Sequence, residues 1–360
     1  MSKQILSVLL IFTILCCTSC GVDAGQAPVN TDNALEYTDD CGRKIMIPSD
    51  IDSIVASGPL SQIILMSIAP EMMRGLAVKW DDSAVGIISE EYLNLPVLGQ
   101  LYDSSNLNIE ELVSVAPDLI IDIGEAKPSL IEDMDRLQQQ TGIPVIHIEA
   151  SLGTMPKTYE TLGVLLNKEE KGKILSQFLG DTYDRTIHIL DKVGTNKVKT
   201  LYITGNNGES VVMKNSYHSE IIDMITDNPA LSDTVSAKGL GTEVSIEQIA
   251  LWNPDLIIFS SDTMYQNIKN MPAWKELEAI RNGNYVLVPS SPYNWLGTPP
   301  SVQMYLGMIW LTGILYPQYC DYDIKAKICE YYRLFYGCQL TDEQYERIIT
   351  GTEVKQCTHL

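Results

Sequence analysis

A chain of 360 residues, 45% of them apolar, is long enough for two packed cores and too apolar for a disordered polymer. Its 25 Lys and Arg face 46 Asp and Glu, a formal net charge of −21 that excludes nucleic acid as a natural partner.

The first nineteen residues read as an export signal. Lys3 gives a basic end, residues 5–15 form an apolar run too short to span a bilayer, and small residues precede Cys20. Thr18-Ser19-Cys20-Gly21 resembles a lipoprotein processing site, with Cys17 where an aliphatic residue is usual. Cys20 is therefore expected to carry lipid, and residues 20–34, small and polar, to form a lipidated N-terminus and flexible tether. Loss of Lys3 with the signal leaves 24 basic and 46 acidic residues, a net charge of −22.

Residues 35–153 have the pattern of an α/β lobe. Alternation around Asp40-Cys41-Gly42 predicts a hairpin over 35–47. A strand at 53–56 then leads through Gly58-Pro59 into a helix over 60–68. Further strands are expected at 75–78, 95–98, 119–123 and 145–148 with helices between them, so the sheet should be mainly parallel and covered on both faces. Residues 154–193 are helical in pattern with a break near Asn167 and Lys168. The helix is too polar for a membrane span and reads as a stiff connector.

A second α/β lobe is expected over 194–317. It opens with a strand at 200–204, a turn rich in Gly and Asn, and a short strand at 210–213. Ser216 is placed to cap a helix over 217–225. A strand at 285–288, a loop at 291–297 with two aromatic residues, and a helix to residue 315 that is apolar nearly all round complete it. Residues 318–360 form a C-terminal helical extension, with helices at 324–336 and 342–350 expected to pack on the second lobe.

A fifteen-residue segment occurs twice. Residues 108–122 read NIEELVSVAPDLIID and residues 245–259 read SIEQIALWNPDLIIF, with seven identities at a separation of 137 residues. That separation is domain-sized, which suggests two related lobes. Each copy is a short amphipathic helix feeding a buried strand, and in each a glutamate, Glu110 or Glu247, sits off the apolar stripe. Two matching acids on two matching lobes suit a docking device, although first-turn acids also complement a helix dipole.

Five cysteines remain beyond Cys20: Cys41, Cys320, Cys329, Cys338 and Cys357. Their odd number and wide spacing argue against a disulfide framework or a zinc site, and free thiols are expected, with one bridge among the C-terminal four left open.

No hydrolase or nucleotide-binding signature is present. In open α/β sheets ligands bind beyond the carboxyl ends of strands, so the loops there are the candidates. In the first lobe these hold Ser57, Gly58, Pro59, Lys79, Trp80, Gln100, Tyr102 and Lys127. In the second they hold Lys214, Tyr217, His218, Tyr265, Tyr293, Asn294 and Trp295. Aromatic rings beside lysines suit a large, planar or anionic ligand. Ser216 to His218, at an expected helix N-terminus, would favour an anion, and His218 is the best-placed histidine for a metal. Each has a plainer reading as well: tryptophans wedge loops against cores, and lysines solvate surfaces.

From about residue 37 to residue 316 the chain resembles the substrate-binding lipoproteins of iron(III)-siderophore and cobalamin-type ABC importers, a bilobal family with a helical backbone. The resemblance rests on the lipoprotein-like start, the two lobes, the long connector and the paired IE…PDLII segments. It implies an α/β fold of two Rossmann-like lobes with mainly parallel sheets joined by a long α-helix, and capture without catalysis. A glutamate before each PDLII strand contacts permease arginines in that family, a role that falls on Glu110 and Glu247. The implied partners are a permease and ATPase complex, a small-molecule metal chelate and, through the lipid, the outer face of the membrane. No intrinsic cofactor is implied, and a monomer is the default. Iron(III)-siderophore, haem and corrinoid ligands stay open, as does a molybdate- or tungstate-type oxyanion. A metal chelatase using His218 and a sensor ectodomain are the readings from other classes.

Overall fold

Runs of aliphatic residues buried on both faces form two separate sheets in the computed structural model, which describes residues 34–101, 107–206, 208, 210–231 and 241–352. The signal, Cys20 and Cys357 lie outside the described residues, as does Tyr102.

The first lobe begins with an antiparallel hairpin, β1 (Ala34–Thr38) and β2 (Lys44–Pro48). Asp39 holds its turn, its Oδ1 accepting from Cys41 N at 3.1 Å and Arg43 N at 2.9 Å. There follow β3 (Ile54–Ala56), α1 (Pro59–Ile68), α2 (Glu90–Leu93), α3 (Ile109–Val115), β4 (Leu119–Gly124), α4 (Leu130–Thr141) and β5 (Val145–Glu149). Strands β3, β4 and β5 make an all-parallel sheet in that order. The strands expected at 75–78 and 95–98 shrink to one parallel bridge, Leu76 with Val97. Pro96 supplies a carbonyl to Leu76 N at 2.8 Å but has no N–H to continue a ladder. Gly75 permits the approach, since a Cβ there would stand 2.5 Å from Leu98 Cδ1.

The connector is a helical hairpin: α5 (Met155–Leu165) folds back along α6 (Glu169–Val193). Asn167, with φ 54°, makes the break. The two helices nearly touch at Gly163 and Gly172, where a Cβ on Gly172 would lie 2.7 Å from Tyr159 O. The 25 residues of α6 span roughly 37 Å at 1.5 Å per residue.

The second lobe carries β6 (Thr200–Thr204), β7 (Ser210–Val211), α7 (Glu220–Ile225), β8 (Thr242–Glu243), α8 (Ile246–Trp252), β9 (Leu256–Phe259), α9 (Asp262–Asn267), α10 (Pro272–Lys275), α11 (Glu278–Asn282), β10 (Tyr285–Leu287) and the buried α12 (Met304–Leu315). Its sheet runs β10-β9-β6-β7-β8. The first three strands are parallel and the two short ones antiparallel, so this sheet is mixed.

Both copies of the repeat fold alike. Asn108 Oδ1 caps α3 by accepting from Glu111 N at 3.0 Å, and Ser245 Oγ caps α8 by accepting from Gln248 N at 3.3 Å. Each helix is seven residues long and stops at a left-handed residue, Ala116 at φ 45° and Asn253 at φ 44°. The chain then turns through proline into β4 or β9.

The extension, α13 (Ile324–Phe335) and α14 (Asp342–Ile349), departs from expectation by joining both lobes. Phe335 packs edge-on to Tyr159 at 5.8 Å and Phe178 at 5.8 Å, and stacks on Tyr331 at 4.3 Å. Gln344 Nε2 donates to Gly86 O of the first lobe at 3.0 Å, while Leu287 N of β10 donates to Gly351 O at 2.8 Å. Tyr332 OH donates to Ser291 O. The lobes also meet directly where Ser291 Oγ donates to Ser83 O at 2.9 Å and Tyr305 OH to Leu152 O at 2.5 Å. One inner core accordingly runs from Ile45 to Ile348 through both lobes and the extension, with smaller cores on the other face of each sheet. Cys41, Cys320, Cys329 and Cys338 are free thiols.

Candidate functional site: a cleft between the lobes

The carboxyl ends of the first-lobe strands open onto a cavity of about 480 Å³ whose far wall belongs to the second lobe. Leu60 follows β3, Glu125 follows β4, and Ala150 to Leu152 with Met155 follow β5. Across from them stand Asn215 to Tyr217, Ser219, Glu220 and Asp223, closed at one side by Pro300 and Met304. This is where the ends of parallel strands leave unpaired backbone and variable loops, the usual ligand position in an open α/β sheet.

Three carboxylates face this space, and no Lys, Arg or His lines it among the described residues. Asp223 is spoken for: it accepts from Asn215 N at 2.7 Å, Ser219 Oγ at 2.6 Å and Asn228 Nδ2 at 2.8 Å. Glu125 and Glu220 have no hydrogen-bond or ion-pair partner among the described residues. Desolvation, then the Glu125 charge, pushes the Glu220 carboxyl up, although both glutamates are exposed by surface area. The Tyr217 hydroxyl is raised by burial and then by Glu125, Glu220 and Asp122, although its residue surface is 55% exposed.

Beneath this cleft lies a buried polar chain at the strand ends. Ser57 Oγ donates to Asp122 Oδ1 at 2.5 Å, and His147 Nδ1 lies 2.7 Å from Asp122 Oδ2. His147 Nε2 is 3.6 Å from Glu149 Oε2, in ion-pair range but beyond a hydrogen bond. Burial alone would lower the His147 pKa, but the hydrogen bond and charge of Asp122, then Glu149, outweigh it and raise it.

Of the residues expected to hold ligand, Tyr217 lines the cavity. Gly58 and Pro59 sit at the start of α1, beside the lining residue Leu60, and Ser57 is buried in the polar chain below. Lys127 is exposed two residues past Glu125, and Lys214 is half-buried next to Asn215. Lys79 is exposed and Gln100 half-buried, both off the cavity wall. Trp80 and Tyr293 pair their rings at 5.4 Å across the lobe contact, where Gln62 Nε2 donates to Tyr293 OH at 3.4 Å. Asn294 Nδ2 donates to Tyr202 OH at 2.9 Å. Trp295 is 0% exposed, so the expectation that it walls the cleft gives way to a packing role. Tyr265 packs on Tyr285 at 5.6 Å, against the edge strand β10.

The expected anion site at Ser216 is also corrected. Helix α7 starts three residues later than predicted, at Glu220, and is six residues long. Its first turn holds Glu220 and Asp223, which oppose an anion. His218 donates its Nδ1 proton to Gly297 O at 2.9 Å, and no group of three or more His, Cys, Asp or Glu able to hold a metal forms around it among the described residues. The residues expected to hold ligand did not include Glu125, Glu220 or Asp223. The available signal was their position on loops directly after strands or at the start of a helix facing such loops.

Glu110 and Glu247 are both exposed, each in the first turn of its repeat helix.

Two linked α/β lobes with a cleft at their strand ends define a binding-protein architecture, and the chain belongs to the Periplasmic binding protein family, whose profile matches residues 98–292, over half of its length. It is 24% identical over 339 residues to the molybdate-binding protein MolA of Haemophilus influenzae, covering 83% of this chain and 90% of that protein. To the Fe(3+)-citrate-binding protein YfmC of Bacillus subtilis it is 21% identical over 297 residues, covering 78% and 88%. Among solved structures, the ABC transporter solute binding protein from Sulfurospirillum deleyianum superposes with a TM-score of 0.80 at 26% identity, over 88% of this chain and 99% of that one.

Proposed function

We propose that this protein is an extracytoplasmic receptor, lipid-anchored through Cys20, that captures a metal chelate and hands it to an ABC importer, with no bond-making step of its own. The observation that carries the reading is the cavity lined by loops of both lobes, because a guest held there is enclosed between two lobes, each of which a permease can grip. The gripping points are Glu110 and Glu247, exposed at equivalent places on the two lobes. A fold likeness alone leaves the ligand open. The names of the relatives, all binding proteins, support transport over catalysis, and favour the receptor over a chelatase built on His218.

A second reading, oxyanion capture, is favoured by the likeness to a molybdate-binding protein. The three cleft carboxylates weigh against it.

The test is docking of the purified full chain onto its cognate permease–ATPase complex in nanodiscs, read by biolayer interferometry without ligand. Wild type is expected to dock, and the double charge reversal Glu110→Lys/Glu247→Lys to lose at least about tenfold in affinity, roughly 1.4 kcal/mol, with an unchanged circular dichroism spectrum. Undiminished docking of that variant removes the assigned role, and failure of wild type to dock removes the importer reading.

A further inference from the structure

We propose that the cleft selects a guest of positive charge, a metal chelate that presents an ammonium or comparable cationic group to Glu125, Glu220 and the ring of Tyr217. The proposal rests on the receptor reading and specifies its ligand class.

Glu125 comes from the first lobe and Glu220 from the second, and neither has a partner among the described residues. Two like charges facing one space repel each other. A cation between them reverses the sign of that interaction and draws the lobes together. Tyr217 adds an exposed aromatic face beside the two carboxylates, the arrangement that binds quaternary and primary ammonium groups. Leu60, Leu152, Met155 and Met304 supply apolar surface for the body of such a guest. An oxyanion would meet the same carboxylates with no lining cation among the described residues to offset them.

The experiment titrates the full chain by isothermal calorimetry with two ferric tris-hydroxamate chelates of the same skeleton. One ends in a free ammonium group and is cationic; the other has that amine capped as a succinamide and is anionic. The cationic chelate is expected to bind at least about tenfold more tightly, and Glu125→Gln/Glu220→Gln to reduce that preference below about threefold. The preference should also shrink as salt rises. Equal or tighter binding of the capped chelate overturns the proposal, as does a preference that survives in the double variant. Binding of neither chelate overturns it too, and in each case the receptor reading stands or falls on the ligand-free docking measurement.

Discussion

Asp122 joins three strand ends beneath the cleft, receiving Ser57 on one carboxylate oxygen and His147 on the other. The His147 side chain is fully buried, and the groups that face it are Asp122 and Glu149, with Asp39 Oδ2 accepting from its backbone N at 3.3 Å. Because its folded pKa is raised above 6.5, the charged pair contributes stability that is fully present below pH 6.5 and is lost as pH rises through the folded value. Asp122→Asn keeps the shape and removes the charge. Urea titrations are expected to show it less stable than wild type by about 1.5–3 kcal/mol below pH 6.5, with the gap narrowing at higher pH. A pH-independent gap would assign the pair a packing role alone. At this scale the sequence was least informative. Tyr217 was singled out by its place beyond a strand end, at an expected helix start, but an acid looks the same whether water or a cavity faces it, and Trp295 looks the same whether it lines a cleft or fills a core.

Element boundaries were far easier to read, since they follow from local chemistry. The repeat helices were legible from apolar spacing, and their ends from a capping Asn or Ser and a following proline. The break at Asn167 was legible as well, whereas the folding back of α5 on α6 was not. It depends on Gly163 and Gly172 meeting, a contact between residues nine apart that no helical period announces. Gly172→Ala puts a methyl group against Tyr159 O and Gly163 Cα, and both are backbone atoms that cannot turn aside. A loss of roughly 1–3 kcal/mol in thermal or urea stability is expected, with ligand affinity unchanged. The missing strands at 75–78 and 95–98 have the same kind of origin: apolar residues of the right type were present, but Pro96 cannot donate to a neighbour.

At the scale of the whole molecule, two lobes and a helical connector were visible in sequence because a segment repeated at domain spacing places the same helix and strand once in each half of the chain. The course of the extension was invisible, since amphipathic helices reveal that they pack but not on what. Its aromatic residues enter the shared inner core, so Phe335→Ala removes contacts to both Tyr159 and Phe178. A cost of about 3–5 kcal/mol is expected, seen by tryptophan fluorescence in urea as one transition shifted to lower midpoint. A second, separate transition would show that the lobes unfold independently. The contacts of Gln344 with Gly86 and of Gly351 with Leu287 stitch the two halves along one seam, away from the cavity wall. The lobes are tied at the cavity wall as well, where Tyr305 reaches Leu152, so on the receptor reading whatever empties the cleft must pull on both rims at once, and unaided escape of the cargo is expected to be slow.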